Sequence, residues 1–157
     1  MTADERDEGA EQDEHDDVVC QVLRGTLDAA VVLRTEAVVA FLDIHPVFKG
    51  HTLVSPVRHV DTLLELREDE MVPLLSAAQR IARAQSAALG AQGTFVAVNN
   101  VVSQSVPHLH VHVVPRTKGD GLRGFFWPRT TYSSVQEASS YAARLAAALP
   151  SPTTPPA

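Results

Sequence analysis

Apolar residues are scarce up to position 17, and from Val18 onward they fall into short runs with clear periods. Residues 18–23 form a short apolar run. The runs 30–33 and 38–42 are rich in β-branched residues and separated by Arg34, Thr35, Glu36 and Ala37, which predicts a hairpin. Pro46, Lys49 and Gly50 mark a loop, and 52–55 reads as a third strand. From Asp69 to Leu89 the apolar positions Met71, Leu74, Leu75, Ala78, Ile81, Ala82 and Leu89 follow helical spacing. Pro73 is tolerable only near a helix start, so the helix is expected to begin near Asp69. Gly90 and Gly93 are expected to end it. Residues 94–98 and 108–114 read as two further strands, and 133–149 as an Ala-rich last helix. The expectation is an α+β domain: an antiparallel sheet of about five strands, one long helix and a C-terminal helix.

The chain has 157 residues, a length that usually makes one domain. Residues 1–17, acidic and poor in apolar side chains, and the Pro-, Ser- and Thr-rich 150–157 are expected to be mobile tails around a domain at 18–149. The net charge of −6, without a Lys/Arg cluster, argues against nucleic acid as a partner. One cysteine, Cys20, excludes an intramolecular disulfide and fits a reducing compartment. No apolar run is long enough to span a membrane, and the acidic start does not read as a signal peptide, so a cytoplasmic location is expected.

The chemistry concentrates in Ser105-Val106-Pro107-His108-Leu109-His110-Val111-His112-Val113-Val114. In a strand, His108, His110 and His112 would share one face, spaced about 6–7 Å apart, and Leu109, Val111 and Val113 the face that packs on the helix. Three imidazoles in such a run add a desolvation cost without a packing gain, which points to function. Two kinds fit. The histidines could ligate a metal, which in a closed zinc site requires further ligands. Alternatively, one is a nucleophile, since a neutral imidazole attacks phosphorus without prior deprotonation once its other nitrogen is fixed.

The run His108-Leu-His110-Val-His112-Val-Val resembles the signature of the histidine-triad (HIT) superfamily. Ala40-Phe41-Leu42-Asp43-Ile44-His45-Pro46, Gly50-His51-Thr52-Leu53-Val54-Ser55-Pro56, Arg58-His59-Val60 and Gln104-Ser105-Val106 extend the similarity in the expected order. The resemblance, closest to the Hint and Fhit type branches, implies the HIT fold and an enzyme that cleaves at the α-phosphorus of a purine nucleotide, a phosphoramidate or dinucleoside polyphosphate, through a nucleotidyl-histidine. It implies His110 as nucleophile, His112 as phosphate contact and His108 as support, with its carbonyl holding the His110 ring. It further implies Ser105 and Gln104 near the phosphate or leaving group, His51 behind the triad, and Asn99 close to the phosphates. Asp43 would bind the ribose, with Phe41 and Ile44 flanking the base. The stretch 99–104 is shorter than the glycine-rich loop common in the family. A homodimer is implied as well. A nucleotide-binding sensor of the same fold without turnover is the alternative.

The resemblance also extends to a structural zinc. Bacterial relatives carry two cysteines where this chain has Asp17 and Cys20, together with histidines matching His59 and His108, so an Asp-Cys-His-His zinc site is implied, with no cofactor needed for the chemistry. The aromatic stretch Phe125-Phe126-Trp127 is expected to cover the active site or to pack across a dimer.

Overall fold

In a computed structural model, which describes residues 15–122 and 130–150, the chain divides into two units, Met1–Asp120 and Gly121–Ala157. The first unit carries helix α1 (Val18–Arg24), strands β1 (Val31–Arg34), β2 (Val38–Leu42) and β3 (Thr52–Pro56), a 3-10 turn at Leu63–Glu65, helix α2 (Glu68–Leu89), and strands β4 (Gly93–Ala97) and β5 (Val111–Arg116). The strands form one antiparallel sheet in the order β1-β2-β3-β5-β4. The second unit carries helix α3 (Val135–Ala148), capped by the Ser134 hydroxyl, which accepts from the Glu137 N–H at 3.1 Å. Phe125-Phe126-Trp127 and residues 1–14 lie outside the described residues. No helix among the described residues is long and apolar enough to cross a membrane.

α2 begins one residue before the expected start. Glu70 accepts the Arg67 backbone N–H at 3.0 Å, the carboxylate half of a capping box. Pro73 sits in the second turn, where the partner it denies is the carbonyl of the exposed Asp69. Gly90, in the left-handed conformation at φ 69°, ends the helix, while Gly93 opens β4 and takes no part in the cap. The buried stripe Leu74, Ala77, Ala78 and Ile81 packs on Val38, Ala40, Val54, Leu109, Val111 and Val113. The predicted apolar face of the histidine run is therefore the face that meets the long helix.

The short apolar run at 18–23 is a helix. Asp17 Oδ1 accepts from the N–H groups of Val19 and Cys20 at 2.9 and 3.0 Å, and Gly25 closes the turn at φ 76°. Asp17 is thus a cap of α1, not the last residue of a tail. Val19 and Val22 bury against Val39 and Phe41 on the sheet face opposite α2. Strand register puts Phe41, Leu53, His112 and Ala97 in one row across this face. α1 therefore covers one end of the row, and His112 lies further along it.

β5 starts at Val111, three residues later than expected, so His108 and His110 precede the strand. The cause is local. Pro107 has no N–H to donate, and the backbone after it is used elsewhere: Leu109 N–H donates to the Val60 carbonyl at 2.7 Å, and the His108 carbonyl accepts from the His110 ring. The β3–β5 ladder pairs only Thr52–Val113, Leu53–His112 and Val54–Val111.

Candidate functional site

The three histidines of the run do not form one even row. His110 and His112 ring centroids are 4.9 Å apart, whereas the His108 ring packs edge-on to His59 at 4.8 Å. The break in the strand turns His108 into a second cluster, with the first made of His110, His112 and His51.

In the first cluster, hydrogen bonds settle which nitrogens carry protons. The Val47 N–H donates to His51 Nδ1 at 3.2 Å, so the His51 proton is on Nε2. His51 Nε2–H donates to His112 Nδ1 at 3.0 Å, which leaves His112 with Nε2–H as its outward donor. His110 Nδ1–H donates to the His108 carbonyl at 2.7 Å, which leaves its Nε2 with a free lone pair. A lone pair and an N–H donor on adjacent rings are the two groups that attack at phosphorus requires: one to form the bond, one to hold a phosphate oxygen.

Burial keeps the supporting rings neutral. His51, 3% exposed, is lowered below the usual histidine range by burial, which the Asp43 carboxylate opposes and His110 reinforces. His112 is lowered from 6.5 to about 4, by burial first and then by the neighbouring His110 and His51. An unfolded chain takes up this proton near pH 6.5, the folded chain only near 4. The unfolded state therefore binds more protons within that window, and stability falls as pH drops through it. Native protein is expected to lose about 1–3 kcal/mol more than a His112→Gln variant between pH 6.5 and 4, after allowance for partial exposure. Urea denaturation of both proteins at each pH measures the difference; parallel curves would sink the assignment.

Asp43 lies at the mouth of this cluster. Its Oδ1 accepts from the His45 N–H at 2.8 Å, and its Oδ2 is 3.6 Å from His51 Nδ1. Ile44 beside it is 84% exposed. Phe41 is 4% exposed and packs with Val19, Val22 and Val39 under α1. Asn99 and Ser105 are exposed, on the segments leaving β4 and leading into the histidines.

Gln104 is tied into the loop backbone. Its Nε2 donates to the carbonyls of Asp61 and Val106 at 2.6 and 3.0 Å, and its Oε1 accepts from the Val101 N–H at 2.8 Å. All of these partners are backbone groups, so this side chain braces the 99–104 loop. The loop is short enough to be strained: Val101 and Ser103 sit at φ 65° and 62°, and a β-branched residue is disfavoured there. Val101→Asn tolerates that φ better and keeps the backbone N–H, and is expected to raise stability by about 1 kcal/mol in thermal melts. A lower melting temperature would count against strain at this position.

In the second cluster, the side chains of Asp17, Cys20, His59 and His108 each present a ligand atom, all within 4.8 Å of one another. His108 Nε2–H donates to the Pro56 carbonyl at 2.9 Å, and His59 Nε2–H to Asp61 Oδ1 at 2.8 Å. Both Nδ1 lone pairs therefore point inward. They face Asp17 oxygens at 3.2 and 3.1 Å and the Cys20 sulfur at 3.6 Å each. A divalent ion here would take both Nδ1 lone pairs, an Asp17 oxygen and the Cys20 sulfur as thiolate, displacing the thiol proton that otherwise serves Asp17. Edges of about 3.3–3.7 Å are what a tetrahedron with zinc-length bonds requires. Burial would raise the Asp17 carboxyl, but hydrogen bonds from the Cys20 side chain and backbone, foremost among the opposing causes, hold it at about 2. The Cys20 thiol is pushed up to about 12 by burial and by Asp17. The sequence reading missed Asp61, although its spacing, two residues after His59, is the signal of a carboxylate that orients a ligating ring.

Known proteins resemble this chain in sequence and fold. The family model described as HIT domain matches residues 24–119. A protein named hit from Bacillus subtilis is 38% identical over 113 residues, 70% of this chain and 77% of that protein. An adenosine 5'-monophosphoramidase of Schizosaccharomyces pombe is 29% identical over 113 residues, 71% of this chain and 82% of its own length. An asymmetrical bis(5'-nucleosyl)-tetraphosphatase of the same yeast is 33% identical over 92 residues, 57% of this chain and 50% of its own. Among solved structures, a HIT family protein from Bacillus subtilis superposes with a TM-score of 0.78 at 30% identity, covering 88% of this chain and all of that one. A zinc-bound histidine triad family protein from Mycobacterium smegmatis superposes with a TM-score of 0.65 at 33% identity, covering 84% and 96%. The sheet, the long helix and the histidine run thus have one common explanation: this chain belongs to the HIT domain family and has its fold.

Proposed function

We propose that the protein is a nucleotide hydrolase or transferase that cleaves at the α-phosphorus of a nucleoside phosphoramidate or dinucleoside polyphosphate through His110. The observation that carries the reading is the 2.7 Å hydrogen bond from His110 Nδ1–H to the His108 carbonyl, which frees Nε2 for attack. The lone pair forms the N–P bond as the P–N or P–O bond to the leaving group breaks and its electron pair departs with that group, which takes up a proton from solvent. His110 becomes cationic, and the same carbonyl stabilises the charge. His112 Nε2–H holds a phosphate oxygen. Water then attacks phosphorus and gives up a proton to solvent, the N–P bond breaks with its electron pair returning to Nε2, and His110 is restored. Asp43 accepts the ribose hydroxyls, Ile44 lines a purine, and Ser105 and Asn99, both exposed, reach the leaving-group side. The phosphoramidase and tetraphosphatase relatives support this substrate class.

The Asp17, Cys20, His59 and His108 cluster is proposed as a structural zinc site, supported by its acceptor geometry and by the zinc-bound relative. Four protein ligands leave no open position, so the metal would take no part in the chemistry. β4 is an edge of the sheet with Thr94 and Val96 exposed, which supports a homodimer with the sheet continued through it. The lone cysteine supports a cytoplasmic location. The direct test offers adenosine phosphoramidates and diadenosine polyphosphates to the native protein and follows AMP by chromatography. Nucleotide binding without any release would replace the enzyme by a sensor of the same fold.

A further inference from the structure

Gln85 is the one polar residue on the buried stripe of α2, at a position where the spacing of Ala77, Ala78 and Ile81 calls for an apolar side chain. It is 4% exposed. Its Nε2 donates to the carbonyls of Gly50 and Val113, both at 2.9 Å. Gly50 immediately precedes His51, and Val113 immediately follows His112. The β3–β5 ladder ends at Thr52–Val113, so the Gln85 amide bridges the two strands just past the last ladder pair, at the end where the His51 and His112 rings meet at 3.0 Å.

The orientation of the amide is not in question, because the reverse would aim Oε1 at two carbonyl oxygens. As placed, Oε1 is buried and accepts no hydrogen bond among the described residues. Leaving such an acceptor unmade carries a desolvation cost that a leucine or methionine of similar volume would avoid. The carbonyls gain what the helix loses. Gly50 itself has φ +99°, in the left-handed region, and lies beside the Leu89 side chain of the same helix. The last two turns of α2 thus hold the backbone next to both imidazoles from the face opposite the rings.

We propose that Gln85 is a positioning residue for the His51–His112 pair. By pinning the Gly50 and Val113 carbonyls, its amide keeps His51 Nε2–H directed at His112 Nδ1 and so keeps His112 Nε2–H available to a phosphate oxygen. Its effect on rate rests on the nucleotidyl-transfer reading above; its effect on the rings does not.

The test compares Gln85→Met and Gln85→Leu with Leu74→Ala, which weakens the same stripe without touching either carbonyl. Turnover of an adenosine phosphoramidate is measured alongside long-range ¹H–¹⁵N spectra of the imidazoles. The Gln85 variants are expected to lose about tenfold in kcat with KM within about twofold. The His112 signals should move from a single Nε2–H tautomer to a mixture, with those of His110 unchanged. Leu74→Ala should lower Tm and leave the His112 spectrum as it is. Gln85 variants with native kcat and native His112 signals, reduced only in Tm, would overturn the proposal. If the native protein turns nothing over, the function reading fails, and the His112 spectrum still decides this one. If neither Gln85 variant folds, the native protein decides: both Gln85 side-chain amide protons are expected to exchange slowly, and fast exchange of both rules out the clamp.

Discussion

Replacing His110 with alanine is expected to cut AMP release by at least about a thousandfold, with KM changed little. The argument is that His110 supplies the bond-forming atom, and no neighbour can replace it. The His112 Nδ1 lone pair is occupied by His51, and its Nε2 carries a proton; the His108 ring donates through Nε2 to Pro56 and turns Nδ1 to Asp17. Removing His112 instead takes away one donor to a developing charge, and the expected loss is smaller, about 10²-fold. The contrast is visible by mass spectrometry. Native protein quenched during turnover should carry one nucleotidyl group, His112→Ala should still carry it, and His110→Ala should carry none. Equal AMP release by native and His110→Ala protein would remove His110 from the chemistry.

Stripping the metal is expected to lower Tm by about 10 °C, corresponding to about 3 kcal/mol at a zinc concentration some hundredfold above its dissociation constant. The cluster links Asp17 and Cys20 at the start of α1, His59 after β3, and His108 before β5, so the ion would tie three separate stretches of chain. Asp17→Asn separates two roles. Asparagine caps a helix about as well as aspartate, so α1 keeps its cap while the centre loses an anionic ligand. This variant should fold and bind zinc more weakly; Cys20→Ser should bind it more weakly still. Because the Cys20 thiol of the metal-free protein lies at about 12, zinc must displace its proton, and affinity should rise about tenfold per pH unit through neutral pH. Metal analysis finding no zinc in native protein, and no Tm shift on adding it, would reduce the cluster to a hydrogen-bonded corner. Folded protein at low temperature should keep its turnover after chelation, since His110 is not among the four ligands.

Periodicity made most of the fold legible. The 3.6-residue spacing in α2 and the short apolar runs at 30–33, 38–42, 52–55 and 94–98 located these elements to within a residue, and α2, β2 and β3 place buried apolar residues in the core. The alternation of Leu109, Val111 and Val113 was equally readable, because those side chains pack on α2 whether or not the backbone stays in the ladder. The start of β5 was not readable. It depends on the Val60 carbonyl and the His110 ring drawing backbone groups away from the ladder, and Val60 is 49 residues from Leu109. Phe41 illustrates the same limit: an aromatic residue near Asp43 suits a ligand or a core equally well, and its packing under α1 is visible only in the structure.

By itself the sequence determined the class of fold and the run of histidines, because both are properties of residue identity and short-range spacing; the ligand set around Cys20, which spans distant positions, was implied by the family resemblance. The roles of the three histidines were implied by the family resemblance, and only the tertiary structure supplies the proton assignment of each ring. That assignment depends on which nitrogen of each ring is bonded, and the bonds come from the Val47 N–H, the Pro56 carbonyl, Asp61 and the His108 carbonyl. Most of these groups are backbone atoms, the same in every residue type, and except for the His108 carbonyl they reach the rings of the run from elsewhere in the chain, directly or through His51 and His59. A pattern of side chains carries no record of where a carbonyl will point, and the fold supplies it.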